Sequence, residues 1–369
     1  MKRVMVVIGT RPDAIKMCPL IKELEKSSCL EVKVCSAGQH REQLAQALEV
    51  FSVIPDIELG IMEERQELWD LTSRALILLR EAFERERPDL VLVHGDTTTA
   101  FCAALAAYYM RIRVGHVEAG LRTGDLFAPF PEEYNRRCVD MISALHFAPT
   151  RDAVGNLLRE GIPAEGIYVT GNTVADALNL TLDEDFEHPL LDWASGSRLI
   201  LVTAHRRESL GDRMEGMFRA IRRLLEDTPG VKAVFPVHLN PAVRRIAGKV
   251  LKGCSAMKLT EPLRVDEFHN IMKHSSLVLT DSGGIQEEGC CMGVPVAVLR
   301  DKTERQEGVR AGGLYLAGTG EDDIYEACRA LLEDDEILER MRHAENPYGD
   351  GCASMNIRRI VEEDILDRH

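Results

Sequence analysis

Short runs of Val, Ile and Leu, each stopped by Gly, Asp or His, alternate along this chain with longer stretches of helical character. In the first half the runs are "VMVVIG", "EVKVCSAG", "PDLVLVHGD", "RVGHVEAG", "ALHFAPT" and "IYVTGN". In the second half they are "LILVTAH", "VKAVFPVH", "SLVLTDSGG" and "PVAVLRD". Apolar runs of this length, without alternation, suit parallel strands covered on both faces. The segments between them are long enough for crossover helices; "TTTAFCAALAAYYM" is Ala-rich and opens on threonines that can cap it. The pattern predicts an α/β chain with open, doubly wound parallel sheets. It also restarts: "RVMVVIGTRPDAIK" at the beginning is echoed by "RLILVTAHRRESLG" from Arg198. The expected organisation is a first domain over 1–178, a connector over 179–197 and a second domain over 198–354. The last segment, 355–369, has helical period and could pack on either domain.

Composition narrows the partners. The 369 residues carry a formal net charge of −15, a poor match to nucleic acid or to an anionic membrane surface. No apolar run reaches the roughly 18 residues needed to span a bilayer. The ten cysteines show no C-x-x-C spacing, which reads as reduced thiols of a cytoplasmic protein rather than a disulfide framework or zinc site. No G-x-G-x-x-G follows the first strand, and there is no Walker loop, no H-E-x-x-H and no Tyr-x-x-x-Lys. Nothing here calls for a redox cofactor, nucleoside-triphosphate hydrolysis or a metal.

In doubly wound sheets, ligands bind beyond the carboxyl ends of the strands. There "LTDSGGIQEE" lets Asp281 or Ser282 cap a helix, while Gly283 and Gly284 admit an anion such as phosphate to the helix start. Glu288 either holds a ribose diol or sits on a solvated face. Asp96, Glu118 and Glu132, with Glu133, close or follow neighbouring runs. Together they suit acid–base chemistry; singly they read as a helix cap, an ion pair with Arg122 and a helix start. His205 with Arg206 or Arg207 could serve a leaving phosphate or form a plain basic turn. Arg11, Lys16, His238 and Arg305 add basic groups at other strand ends, which argues for a modest polyanion.

"GTRPDAIKMCPL", "VHGDTTTA", "GHVEAGLRTGD", "PEEYNR", "TGNTVADAL", "HRRES", "PVHLNP", "LTDSGGIQEE" and "NPYGDG" occur in this order from Val4 to about Gly351. With them the chain resembles the non-hydrolysing UDP-N-acetylglucosamine 2-epimerases. The resemblance implies two Rossmann-like domains of glycosyltransferase-B type about a central cleft, a last helix returned to the first domain, and a homodimer. It implies conversion of UDP-GlcNAc to UDP-ManNAc through loss of UDP and its re-addition to 2-acetamidoglucal, with no cofactor, for polysaccharide biosynthesis. By motif, Asp96, Glu118, Glu132 and His205 would be catalytic. Arg11, Lys16, His238, Phe268, Ser282, Gly283, Gly284, Glu288 and Arg305 would contact UDP. Gln39, Glu42, Arg65, Gln66, Arg206 and Glu208 match the place where bacterial members hold a second UDP-GlcNAc as an activator. Three positions depart from the family pattern: Asp13, Gln306 and Leu263.

Three other readings compete: a hydrolysing relative that releases ManNAc, a glycosyltransferase of the same architecture, and a silent sugar-nucleotide sensor. The joint presence of Asp96, Glu118, Glu132 and His205 speaks against the last.

Overall fold

All ten expected runs become strands, and every strand pair is parallel. The computed structural model describes residues 1–38, 41–61, 66–206 and 209–366, without the side chains of 41 and 42. The first sheet contains β1 (Lys2–Ile8), β2 (Leu30–Ser36), β3 (Ile57–Glu58), β4 (Leu90–His94), β5 (Arg113–Val117), β6 (Leu145–Ala148) and β7 (Ile167–Val169). Its order is β3-β2-β1-β4-β5-β6-β7. The second contains β8 (Arg198–Thr203), β9 (Val231–Pro236), β10 (Met257–Thr260), β11 (Leu277–Thr280), β12 (Val296–Val298) and β13 (Leu314–Leu316), in the order β10-β9-β8-β11-β12-β13. Both are doubly wound Rossmann-like sheets, and both reverse strand order beside their first strand. The crevices therefore open beyond β1 and β4 in one sheet and beyond β8 and β11 in the other.

The chain divides into two compact units: Met1–Leu180 with Tyr348–His369, and Thr181–Pro347. In the first, Val91, Val93 and Val114 pack with Leu79, Phe83, Ala103 and Ala107 from the helices Leu68–Glu86 and Thr98–Tyr109. Thr97 caps the second of these helices by accepting from Ala100 N at 3.1 Å. The final helix, Ala353–Leu366, belongs to this unit and packs on the helix Arg11–Leu24. Asp176 accepts from the backbone N–H groups of Ala353 (3.2 Å) and Ser354 (2.8 Å) at its start. Arg358 pairs with Glu23 at 2.9 Å, and Arg113 makes a two-pronged pair with Asp364. In the second unit Ile200, Val202, Phe218, Ile221, Phe235 and Leu279 form the core. The stretch 179–197, read from sequence as a connector, contains a short helix, Pro189–Ala194, whose Leu190 and Ala194 are buried. Among the described residues, no helix is long and apolar enough to cross a membrane.

Candidate active site

The first crevice is built from the ends of β1, β4 and β5. β1 runs into Gly9, where a methyl group would lie 2.6 Å from Thr99 Cβ, so the chain passes close to the helix Thr98–Tyr109 only as glycine. Thr10 then caps the helix Arg11–Leu24, and Asp13 completes a capping box. Its Oδ2 accepts from Gly9 N (3.1 Å) and Thr10 N (3.0 Å). One turn on, Lys16 is buried and its ammonium bonds Glu118 Oε2. His94, the last residue of β4, lies opposite Val117 of β5, so Glu118 falls one residue past the strand pair. His94 Nδ1 is 3.3 Å from Asp13 Oδ1, and Nε2 is 3.6 Å from Glu118 Oε2. Burial works against charging this imidazole, but Glu118 and Asp13 outweigh it and raise its pKa to about 9. Asn172 Nδ2 donates to the same Glu118 oxygen at 3.0 Å.

Glu118 has φ +66°, a left-handed conformation that costs a non-glycine residue on the order of 1 kcal/mol. Two donors on one carboxylate oxygen, Lys16 Nζ and Asn172 Nδ2, and a backbone bond from Glu118 N to Phe147 O (3.1 Å) hold it there. Such strain clusters at functional positions. The ion pair with Arg122, the plain reading of Glu118, does not form: Arg122 bonds Asp140 (2.8 Å) and Glu160 (2.6 Å) instead.

Asp96 is not the helix cap, since Thr97 takes that place. Its carboxylate pairs with buried Arg136, and its carbonyl accepts from Asn135 Nδ2 at 2.9 Å. Both partners lie in the first turns of the helix Glu132–Ile142, which Glu132 opens. Glu133 turns inward, fully buried, to Thr123 N (3.0 Å) and Arg136 Nη1 (3.3 Å). Behind Asp96, buried His116 bridges Asp140 Oδ1 (2.6 Å) and the Gly95 carbonyl (2.8 Å), which fixes the turn. Arg11 is the first residue of its helix and half-buried. The first unit thus gathers Lys16, Glu118 and Asp96 at adjacent strand ends. Sequence reasoning passed over His94, Asn172, Arg136 and His116, although each lies inside a quoted motif.

The second crevice follows β8 and β11. His205 stacks on His238 with ring centroids 5.3 Å apart and planes 16° from parallel, joining the ends of β8 and β9. Ser282 precedes the helix Gly283–Met292, yet its side chain makes no capping bond. Asp281 does not cap that helix either; it turns back to the loop after β8 and accepts from His205 N and Arg206 N. Gly283 rests on the Arg305 guanidinium: a methyl there would be 2.7 Å from Nη1. Buried Arg305 pairs with Glu287 (2.8 Å) and Glu304. Glu304 also meets Arg300 at 2.8 Å and Arg206 at 3.7 Å. Glu288 is buried, not on a solvated face, and lies 3.6 Å from His269 Nε2. His269 Nδ1 is in turn 2.7 Å from Thr181 Oγ1. Phe268 is half-buried, edge-on to His269. Of the activator positions, Gln66 donates to Ile61 O at 3.0 Å and Arg206 Nε to Asp281 O at 2.8 Å. Gln39, Arg65 and Glu208, the side chain of Glu42, and Arg207 of the basic turn lie outside the described residues.

Two doubly wound units with polar groups collected beyond their parallel strands define a protein of the glycosyltransferase-B-like α/β class. The glycotransferase of kitacinnamycin has this fold, at 14% identity and a TM-score of 0.66 over 98% of each chain. The model of the family described as UDP-N-acetylglucosamine 2-epimerase matches residues 22–362. A UDP-N-acetylglucosamine 2-epimerase of Bacillus subtilis is 54% identical over 361 residues, covering 98% of this chain and 94% of the relative. A crystal structure of UDP-GlcNAc 2-epimerase from Neisseria meningitidis bound to UDP-GlcNAc superposes with a TM-score of 0.93 at 44% identity, covering 99% of this chain and 100% of that one. The chain belongs to the UDP-N-acetylglucosamine 2-epimerase family.

Proposed function

We propose that this isomerase interconverts UDP-GlcNAc and UDP-ManNAc without hydrolysis. The hydrogen on C2 is not next to a carbonyl, so simple deprotonation there is prohibitively slow. Removal becomes feasible as the C1–O bond breaks: the C2–H electron pair forms the C1=C2 double bond of 2-acetamidoglucal, and UDP leaves with the C1–O pair. Return of UDP to C1 with protonation on the opposite face of C2 gives the epimer. This requires two proton-handling groups and a firm hold on the diphosphate.

Glu118 and Asp96 supply the first requirement, joined by Glu132, which opens the helix that carries the Asp96 partners Asn135 and Arg136. The observation that carries this reading is the pair of carboxylates beyond β4 and β5, Glu118 held by Lys16 and the Asn172 amide and Asp96 by Arg136, all within one unit. His205 assists the departing UDP. Arg11, Lys16, His238, Phe268, Ser282, Gly283, Gly284, Glu288 and Arg305 make up the nucleotide site, with Glu288 on the ribose. Gln66 and Arg206 contribute to an activator site for a second UDP-GlcNAc, and the enzyme works as a homodimer. The ten cysteines are all free thiols, which fits action in the cytoplasm.

Incubation with UDP-GlcNAc in heavy water tests the reading. Deuterium at C2 of both UDP-sugars is the expected result. Free ManNAc accumulating in its place identifies a hydrolase, and no exchange without an acceptor identifies a transferase.

A further inference from the structure

We propose that His94 is a positioning residue for Glu118: a buried imidazolium, steered by Asp13, that holds the Glu118 carboxylate as an oriented anion ready to accept the C2 proton. The inference rests on the reading of Glu118 as an acid–base group given above.

Three features of the geometry support it. Asp13 Oδ2 accepts two backbone N–H bonds, so its Oδ1 faces His94 as an acceptor and Nδ1 is the donor. That fixes the ring. His94 Nε2 then points at Glu118 Oε2 from 3.6 Å and has no hydrogen-bond partner among the described residues, although the ring is only 5% exposed. A buried polar atom left unbonded is costly, and here the acceptor it faces is a carboxylate of the proposed reaction centre. Finally, the charged groups that face the ring favour its protonated form. Asp13 and Lys16 face the ring from the helix Arg11–Leu24 and Glu118 faces it from beyond β5. Of these three groups two are carboxylates and one is an ammonium, so the field at the ring is on balance negative and supports an imidazolium.

The consequence for the reaction is direct. Before turnover Glu118 is the anion and the base. Once Glu118 has taken the proton from C2, the imidazolium and the Lys16 ammonium face a neutral acid in a buried setting, which favours giving the proton back. His94 forms no bond to the sugar and keeps its own proton throughout.

The test is a histidine ring titration by nuclear magnetic resonance on the full-length protein, joined to kinetics. In the wild type the His94 ring should remain doubly protonated past pH 8. Its midpoint should fall by about one pH unit or more in Glu118→Gln, which removes the facing charge. His94→Gln should lower kcat roughly 10-fold or more and leave UDP affinity within about 3-fold. Loss of the imidazolium makes the Glu118 anion harder to hold, so the acidic limb of kcat/KM should move to higher pH. A purely structural histidine would lower kcat without moving that limb. A wild-type midpoint near the ordinary 6.5, or an unmoved acidic limb in His94→Gln, overturns the proposal. If either variant fails to fold, the wild-type titration decides alone. Because that titration needs no turnover, an inactive wild type would defeat the epimerase reading and leave the His94 measurement standing.

Discussion

Asp281, at the carboxyl end of β11, accepts the backbone N–H of His205, beyond β8, at 3.0 Å. The same carboxylate oxygen takes Arg206 N at 3.0 Å, and the Asp281 side chain is fully buried. One anion thus ties the loop after β8 to the neighbouring strand, at the point where strand order reverses. Charge-assisted bonds of this kind are about twice as strong as neutral ones. Asp281→Asn keeps the volume but presents a single acceptor oxygen and an amide that cannot accept. We expect roughly 10- to 100-fold lower kcat from misplacement of the proposed catalytic His205. Steady-state epimerisation, with circular dichroism to confirm folding, measures this.

Asp96 and Arg136 form the second locked carboxylate. Asp96→Asn should reduce turnover roughly 100-fold or more, since the group lost handles a proton in the proposed reaction. UDP binding, read by calorimetry, should change little. Turnover near the wild-type rate would remove Asp96 from the acid–base set.

Gly283 has no room for a methyl group because the Arg305 guanidinium lies against its Cα. Arg305 cannot swing aside freely, held as it is between Glu287 and Glu304. Gly283→Ala should cost on the order of 1–3 kcal/mol of stability and weaken UDP binding. Urea midpoints and UDP titration report the two effects separately.

Glu304 sets an acid limit on stability. Burial pushes its pKa up, but Arg305, Arg300 and Arg206 outweigh burial and hold it below the ordinary 4.5. Asp140 is lowered likewise: burial opposes, and His116 and Arg122 prevail. A depressed folded pKa gives stability that is complete above the unfolded value and is lost as pH falls through the folded one. The urea midpoint should therefore hold level down to about pH 5 and drop below it. Glu304→Gln should lower stability at pH 7 by on the order of 3 kcal/mol, because it takes one of two counter-charges from buried Arg305 and the facing charge from Arg300 and Arg206. It should also flatten the acid slope.

Most of the ten strands visible in the sequence have runs buried over much of their length, such as Leu90–His94; the edge strand Ile167–Val169 is the exception, betrayed by its apolar run and the Gly171 turn after it. The three it hides, β3, β10 and β13, are all sheet edges. They are two to four residues long and show an exposed residue after the first: Glu58, Lys258 and Tyr315. One covered face leaves too little apolar pattern to register. The site divides in a similar way. Asp96, Glu118 and His205 announce themselves as polar residues ending apolar runs. His94 reads as one more strand residue, because its significance lies in Asp13, 81 positions earlier, and Glu118, 24 later. Asp281 looked like a helix cap because nothing local shows that its oxygens face a loop 75 residues upstream.

The helix Ala353–Leu366 completes the first unit from the far end of the chain. Its Ile357, Val361 and Ile365 fill a surface prepared by residues made more than 300 positions earlier. During synthesis that surface stands uncovered while the whole second unit is translated and can fold. The amino-terminal half of the enzyme is thus the last to mature, and a ribosome that stalls before the final turns releases a chain whose earliest-made part is still unfinished.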